Sequence, residues 1–254
     1  MSVVLTEKKG KVGIITINRP EVRNALNIEV FNELDRVLSE LKRDEGIRSL
    51  VVTGTGDSFI SGADINELLT MDSKRGFEAS RFQQSVFDKL EKLGKPSIAA
   101  IRGYCLGGGL ELALSCTFRI AAKNAHLGFP ELQLGIIPAF GGTERLIRTI
   151  GFSKALELIL FHKILKGEEA ERIGLVNLSV DDAQVLNTAL EWADRLSEKS
   201  SFAIRAILEL FYRTYEKGLQ EDLSLESALA ALAVASEEAK EFLRAFLSRK
   251  GKKS

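Results

Sequence analysis

Two glutamates in mostly apolar company, Glu111 and Glu131, and the glycines that precede the first of them are the residues of this sequence best suited to chemistry. The run Gly103-Tyr104-Cys105-Leu106-Gly107-Gly108-Gly109-Leu110-Glu111-Leu112 joins an apolar segment, Pro96 to Ile101, to a helix-like one, Leu110 to Ser115. Three successive glycines at a strand-to-helix junction leave backbone N–H groups uncovered in front of a helix dipole, a place for an anion or a developing oxyanion. Further along comes Phe129-Pro130-Glu131-Leu132. Apolar surroundings raise a carboxyl pKa and fit the group for acid/base work near neutral pH. Each part also has a plainer reading: a glycine run alone is a flexible turn, and a lone Glu at a helix start serves the dipole.

Other reactive side chains add little. Cys105 and Cys116 make no disulfide framework and fit a reducing compartment. Cys105 has no histidine near it in sequence and reads as a small buried residue rather than a nucleophile. His126 and His162 lack metal-ligand spacing, so no metal site is expected. Lys+Arg and Asp+Glu both number 35, without the basic excess that marks a nucleic-acid binder. There is no charged-then-apolar leader and no apolar run long enough to cross a bilayer. A cytoplasmic protein with no membrane partner is expected.

The elements that must position these residues follow from periodicity. Val3–Leu5 and Val12–Asn18 read as a hairpin across Lys8-Lys9-Gly10-Lys11. Asn27 caps an amphipathic helix from about Ile28 to Arg43, with Val30, Phe31, Leu34, Leu38 and Leu41 on one face. Strands are expected at Ser49–Gly54, Ile98–Ile101 and Phe118–Ala122. Between the first two, Ile65 to Leu93 reads as a helical stretch broken near Met71–Gly76, lined inside by Phe77, Phe82, Val86, Phe87 and Leu90. After Gly141 helices are expected at Thr143–Thr149, Ser153–Leu160, Gly167–Ile173, Ala183–Lys199, Phe202–Glu216, Leu223–Ala235 and Glu237–Ser248, interrupted only by a strand at Val176–Val180. The pattern implies an α/β core over residues 1–200 and a helical region over 201–254. Within that region, Ser224–Ser236 is rich in Ala and Leu, and the basic tail Arg249–Ser254 reads as a solvated end.

Five motifs in order then resemble one family. They are Asn18-Arg19-Pro20-Glu21-Val22-Arg23-Asn24-Ala25-Leu26-Asn27, Phe59-Ile60-Ser61-Gly62-Ala63-Asp64-Ile65 and the glycine block. Gly135-Ile136-Ile137-Pro138-Ala139-Phe140-Gly141-Gly142-Thr143-Glu144-Arg145-Leu146 and Ala170-Glu171-Arg172-Ile173-Gly174-Leu175-Val176-Asn177 complete the set. Together they resemble the crotonase (enoyl-CoA hydratase/isomerase) superfamily over about Val3 to Val180. The resemblance implies an α/β fold of the crotonase-like (ClpP/crotonase) type, a spiral of ββα units with a helical C-terminal region.

It also implies that a coenzyme A thioester is the substrate, with no separate cofactor. Two backbone N–H groups, carried over to Ala63 and Gly108, would hold the thioester oxygen as enolate charge develops. Glu111 and Glu131 align with the two catalytic glutamates of enoyl-CoA hydratases, the first activating water for C3 and the second exchanging a proton at C2. The coenzyme would lie along Val22, Arg23, Ala25 and the turn of Gly62, Asp64 and Ile65, with Gly107 and Ala139 shaping the pocket. Arg23 reads equally as a phosphate partner and as a solvated turn residue. The expected reaction is reversible addition of water to a trans-2-enoyl-CoA, giving the 3-hydroxyacyl-CoA. Alternatives are an enoyl-CoA isomerase, a hydratase of an unusual (for example cyclic dienoyl) acyl group, and a non-catalytic family member. A homotrimer or homohexamer is implied. Thr117 stands where the family often has Asp, and Ala139 where Gly is common. The usual Gly is missing from Glu237–Phe246.

Overall fold

A computed structural model describes residues 2–213. Strand β1 (Val4–Lys9) turns at Gly10-Lys11 into β2 (Val12–Ile17), with Gly10 at φ 60°, a left-handed value natural to glycine. A 3-10 turn at Pro20–Val22 leads to α1 (Ile28–Arg43), whose N-terminus is capped by the Asn27 side chain accepting from the Val30 N–H at 3.0 Å. Then follow β3 (Ser49–Gly54), α2 (Ile65–Leu68), α3 (Ser73–Glu91), β4 (Ser97–Ile101), β5 (Tyr104–Leu106), α4 (Gly108–Ser115), β6 (Phe118–Ala122) and β7 (His126–Gly128). A second 3-10 turn, Glu131–Leu134, precedes α5 (Gly142–Ile150), α6 (Phe152–Leu160), β8 (Ile164–Lys166), α7 (Gly167–Arg172), β9 (Leu178–Val180) and α8 (Val185–Ser197). Between Leu196 and Ser197 the chain divides into two compact units. In the second, the described residues form α9 (Ser201–Arg213).

Among the described residues the strands fall into two sheets. The larger runs β1-β2-β3-β4-β6-β9, antiparallel at β1·β2 and parallel throughout the rest. The smaller runs β5-β7-β8. The central strands of the large sheet are buried on both faces, which is why β3 and β4 read as unbroken apolar runs rather than alternating ones. Each turn of the chain gives one strand to the large sheet and one segment to the small: β3 is followed by Ile60, bridged to Cys105, then β4 by β5 and β6 by β7. Helices close the first two turns, giving the expected spiral of ββα units.

Several expectations need correction. The three glycines do lie between a strand and a helix, but the strand is the short β5 rather than the apolar run at Ile98–Ile101, which forms β4 before it. Among the described residues after Gly141 there are two strands, β8 as well as β9, and the latter is shorter than Val176–Val180. Phe77 does not line the inner side of α3: it is 69% exposed, while Val86, Phe87 and Leu90 are buried. The helices expected at Leu223–Ala235 and Glu237–Ser248, the end of Phe202–Glu216 and the basic tail lie outside the described residues.

Candidate active site

The glycines are demanded by close approach. Gly107 sits at φ 49°, ψ −122°, a conformation open to glycine, and a Cβ there would lie 2.6 Å from Glu131 Oε1. A Cβ on Gly109 would lie 2.2 Å from the Ile60 carbonyl oxygen. Small residues therefore let the start of α4 come against both Glu131 and the segment after β3. Gly108 opens α4, so its N–H has no intrahelical acceptor, and no other acceptor meets it among the described residues.

A second such N–H belongs to Ala63. In the short parallel bridge Leu26↔Ala63, the Leu26 N–H donates to the Gly62 oxygen and the Asp64 N–H to the Leu26 oxygen, both at 2.8 Å. That pattern turns the Ala63 N–H to the other side, where no acceptor among the described residues meets it. Two bonds hold this segment beside the glycine turn, Ile60 N–H to the Tyr104 oxygen at 2.9 Å and Leu106 N–H to the Ile60 oxygen at 3.0 Å. Two uncommitted donors thus sit at the ends of adjacent strands, one of them with the dipole of α4 behind it.

Glu111 lies one turn into α4 with 1% of its surface exposed. Its Oε1 accepts from the backbone N–H of Phe140 and of Gly142, both at 2.7 Å. Burial pushes its pKa up to about 7, against those two hydrogen bonds and the nearby Arg145, which favour the charged form. The charge of Glu131 adds to the rise. Glu131 opens the second 3-10 turn, and burial pushes it up to about 7 as well. Its Oε2 is buried without a hydrogen-bond partner among the described residues. A buried polar atom left unpaired costs stability, and functional sites are where such atoms persist.

The loop from Pro138 to Gly142 is fixed to fit Glu111. A Cβ on Gly142 would lie 2.6 Å from Glu111 Cγ, so glycine is needed there for the carboxylate to reach the N–H groups. Behind the loop, Phe140 packs in edge contact with Phe31, ring centroids 5.3 Å apart, and with Phe87 at 6.0 Å.

The other residues singled out in sequence fall nearby with different roles. Asp64 caps α2 by accepting from the Asn66 N–H at 3.1 Å and pairs with Arg19 at 3.0 Å, so its carboxylate is already engaged in holding the Ala63 turn. Ile65 and Val22 are exposed and Ala25 is buried. Arg23, at φ 50°, stacks its guanidinium over the Tyr104 ring, 4.9 Å from its centre. Thr117 exchanges hydrogen bonds with Ser97 at 3.1 Å each way, tying β4 to the turn before β6.

Sequence reasoning missed Arg19 and Asn24. The buried Asn24 amide donates to the oxygens of Thr55, Ser58 and Phe59 and accepts from the Arg19 N–H, while Arg19 donates to the Ala25 oxygen at 2.6 Å. An Asn at φ 60° after a 3-10 turn is the available signal, since Asn tolerates that conformation and can satisfy local backbone groups.

Comparison with known proteins gives the family of the chain. The enoyl-CoA hydratase/isomerase family model matches residues 7–253. The short-chain-enoyl-CoA hydratase of Clostridium acetobutylicum is 40% identical over 97% of this chain and 95% of its own length. The crotonyl-CoA hydratase of Syntrophomonas wolfei is 38% identical over 97% and 95%. Among solved structures, enoyl-CoA hydratase from Bacillus anthracis superposes with a TM-score of 0.93 at 32% identity, covering 97% of this chain and 96% of that one. On these matches, which run nearly end to end, the chain belongs to the enoyl-CoA hydratase/isomerase family.

Proposed function

We propose that this protein is an enoyl-CoA hydratase, a hydro-lyase that adds water reversibly across the double bond of a trans-2-enoyl-CoA. The observation that carries the reading is the pair of carboxyls, buried Glu111 and half-buried Glu131, each raised to about 7 near two backbone N–H groups uncommitted among the described residues. In this mechanism the thioester oxygen sits between the N–H groups of Ala63 and Gly108. Glu111, its Oε1 already held, uses the carboxylate to orient a water and take its proton. The water oxygen bonds to C3, the double-bond electrons move to an enolate whose oxygen charge the two N–H groups stabilise, and Glu131 delivers a proton to C2. Donors fixed in advance need no reorganisation as that charge appears, and loss of one typically costs about 3–4 kcal/mol.

No cofactor beyond the coenzyme of the substrate enters this scheme. The coenzyme runs past Val22, Arg23 and Ala25 and the turn from Gly62 to Ile65, and Gly107 and Ala139 bound the acyl end. The reading is tested by loss of enoyl-thioester absorbance across a panel of trans-2-enoyl-CoA substrates of different length. Turnover of at least one member is expected, and no loss with any of them would overturn it.

The same reading places the protein in the cytoplasm as a trimer or hexamer. Among the described residues, no helix is long and apolar enough to cross a membrane. On α6, Phe152, Leu156 and Leu160 recur on one face and are 66%, 43% and 51% exposed, an apolar ridge that suits contact with another subunit. Light scattering should give three or six times the mass of the chain, and a monomer at micromolar concentration would refute the assembly.

A further inference from the structure

One face of α3 carries Ser80, Gln84, Asp88 and Glu91, spaced so that all four fall on a single stripe of the helix. Every one of them is bonded to the loop that holds Glu111, or to a side chain that holds that loop. The Ser80 hydroxyl donates to the Ala139 oxygen at 2.6 Å, and the Gln84 amide donates to the same oxygen at 2.9 Å. Asp88 and Glu91 both receive Arg145, the latter at 2.8 Å. Arg145, only 6% exposed, donates in turn to the Phe140 oxygen at 3.1 Å. The carbonyls of Ala139 and Phe140 are thus tied down on one side, while the N–H groups of Phe140 and Gly142 reach Glu111 on the other.

We propose that Ser80, Gln84 and Arg145 are positioning residues that clamp the Ala139–Gly142 loop to α3 and thereby fix the carboxylate of Glu111 for catalysis. The clamp deepens the hydratase reading and rests on it for its catalytic effect. The Ala139 carbonyl shares its peptide with the Phe140 N–H, so the two donors on it keep that N–H aimed at Oε1, and Arg145 on the Phe140 oxygen holds the next peptide, the one before the Gly142 N–H. Arg145 is suited to the innermost position because its fork satisfies two carboxylates and a carbonyl at once, which a lysine cannot do in one fixed geometry. A small misplacement of a catalytic group is expensive in rate, which gives the clamp its leverage.

The groups facing Glu111 are the Phe140 and Gly142 N–H groups of the loop, Glu131 from the 3-10 turn and Arg145 from α5. Loosening the loop weakens the two hydrogen bonds that favour the ionised carboxylate, so the Glu111 pKa moves further up. Ala63 and Glu131 are held by contacts outside the loop, and Gly108 meets the loop only at the Phe140 ring, whose seat on Phe31 and Phe87 the variants leave in place, so proton exchange at C2 is expected to be unchanged.

The test uses the full-length protein with the double change Ser80→Ala and Gln84→Leu, and separately Arg145→Lys, each first checked for a native circular-dichroism spectrum. Hydration kcat should fall by roughly tenfold to a hundredfold with KM within about twofold, the range expected for a displaced catalytic group. The acid limb of the kcat profile should move to higher pH, and deuterium exchange at C2 of a saturated acyl-CoA should be unchanged. Titration of the Glu111 carboxyl by NMR in glutamate-labelled protein should show the same upward move without any substrate. An unchanged Glu111 titration in the double variant overturns the clamp, as does a parallel fall of hydration and exchange, which is general damage. A shifted titration in a protein that hydrates no enoyl-CoA, wild type included, overturns the hydratase reading and leaves the clamp standing. The double variant keeps the proposal testable should Arg145→Lys fail to fold.

Discussion

Glu111→Gln is expected to lower hydration by about two to four orders of magnitude, the usual worth of a general acid or base, while exchange of the C2 protons of a saturated acyl-CoA with deuterated solvent continues. Glu131→Gln is expected to abolish both. The asymmetry follows from the placement of the two carboxyls. Glu111 has one oxygen committed to Phe140 and Gly142 and the other left to hold a water, so it serves the C3 end of the reaction. Glu131 lies against Gly107 through its Oε1, its Oε2 is unpartnered among the described residues, and Gly107 precedes the N–H proposed to donate to the thioester oxygen, so Glu131 is assigned to C2. Exchange at C2 needs enolate formation and one base. Glutamine keeps the shape and can still accept both N–H bonds at position 111, so the loss reads the charge rather than a cavity. Normal hydration by the Glu111 variant would make that residue a structural carboxyl and favour isomerase chemistry on Glu131 alone. Normal exchange by the Glu131 variant would put the C2 base elsewhere.

The parts of this site that sequence revealed are those whose residue type is forced by backbone geometry. Gly107 and Gly109 are glycines because any side chain would strike Glu131 or Ile60, and a run of glycines before a helix is visible without coordinates. Glu111 and Glu131 stood out by their apolar neighbours, which is the cause of their raised pKa. The periodicity of α1 was equally plain because one face is buried and its cap is an asparagine. What escaped notice depends on meetings across long sequence distances. Ser80, Gln84, Asp88 and Glu91 look like the solvated face of an ordinary helix until Arg145 and the Ala139 carbonyl arrive from more than fifty residues away. Arg19 and Asp64 are unremarkable singly and join only when the β2–α1 segment lies beside the Ala63 turn. The strands β5, β7 and β8 are three residues each, too short for alternation to register, and they exist because the second sheet pairs them. Spacing alone puts Phe77 inward, but α3 is covered by neighbours only from about Ser80 onward, and before that Phe77 faces outward.

The raised carboxyls also make a prediction about stability, opposite in sign to that of an ordinary surface salt bridge. A carboxyl whose pKa is higher folded than unfolded binds more protons in the folded state between those two values. Stability therefore falls as pH rises through that window. For Glu111 the window runs from 4.5 to about 7, and above it the full penalty is present, roughly 3 kcal/mol for a group this buried. Glu111→Gln removes the ionisation while keeping the two N–H bonds. The variant should gain stability relative to wild type as pH rises from 4 to 8, with the difference levelling off above about 7. Urea unfolding of both proteins at matched subunit concentration measures this, since assembly makes the midpoint depend on concentration. Any constant effect of the substitution cancels, because the readout is the change of the difference with pH. A difference that stays flat from pH 4 to 8 would mean that Glu111 ionises as readily in the folded protein as in the unfolded chain. The carboxyl would then lack the raised pKa on which its role as a base near neutrality depends. A rising difference, together with the loss of hydration in the same variant, would show a residue retained against stability because the reaction needs it.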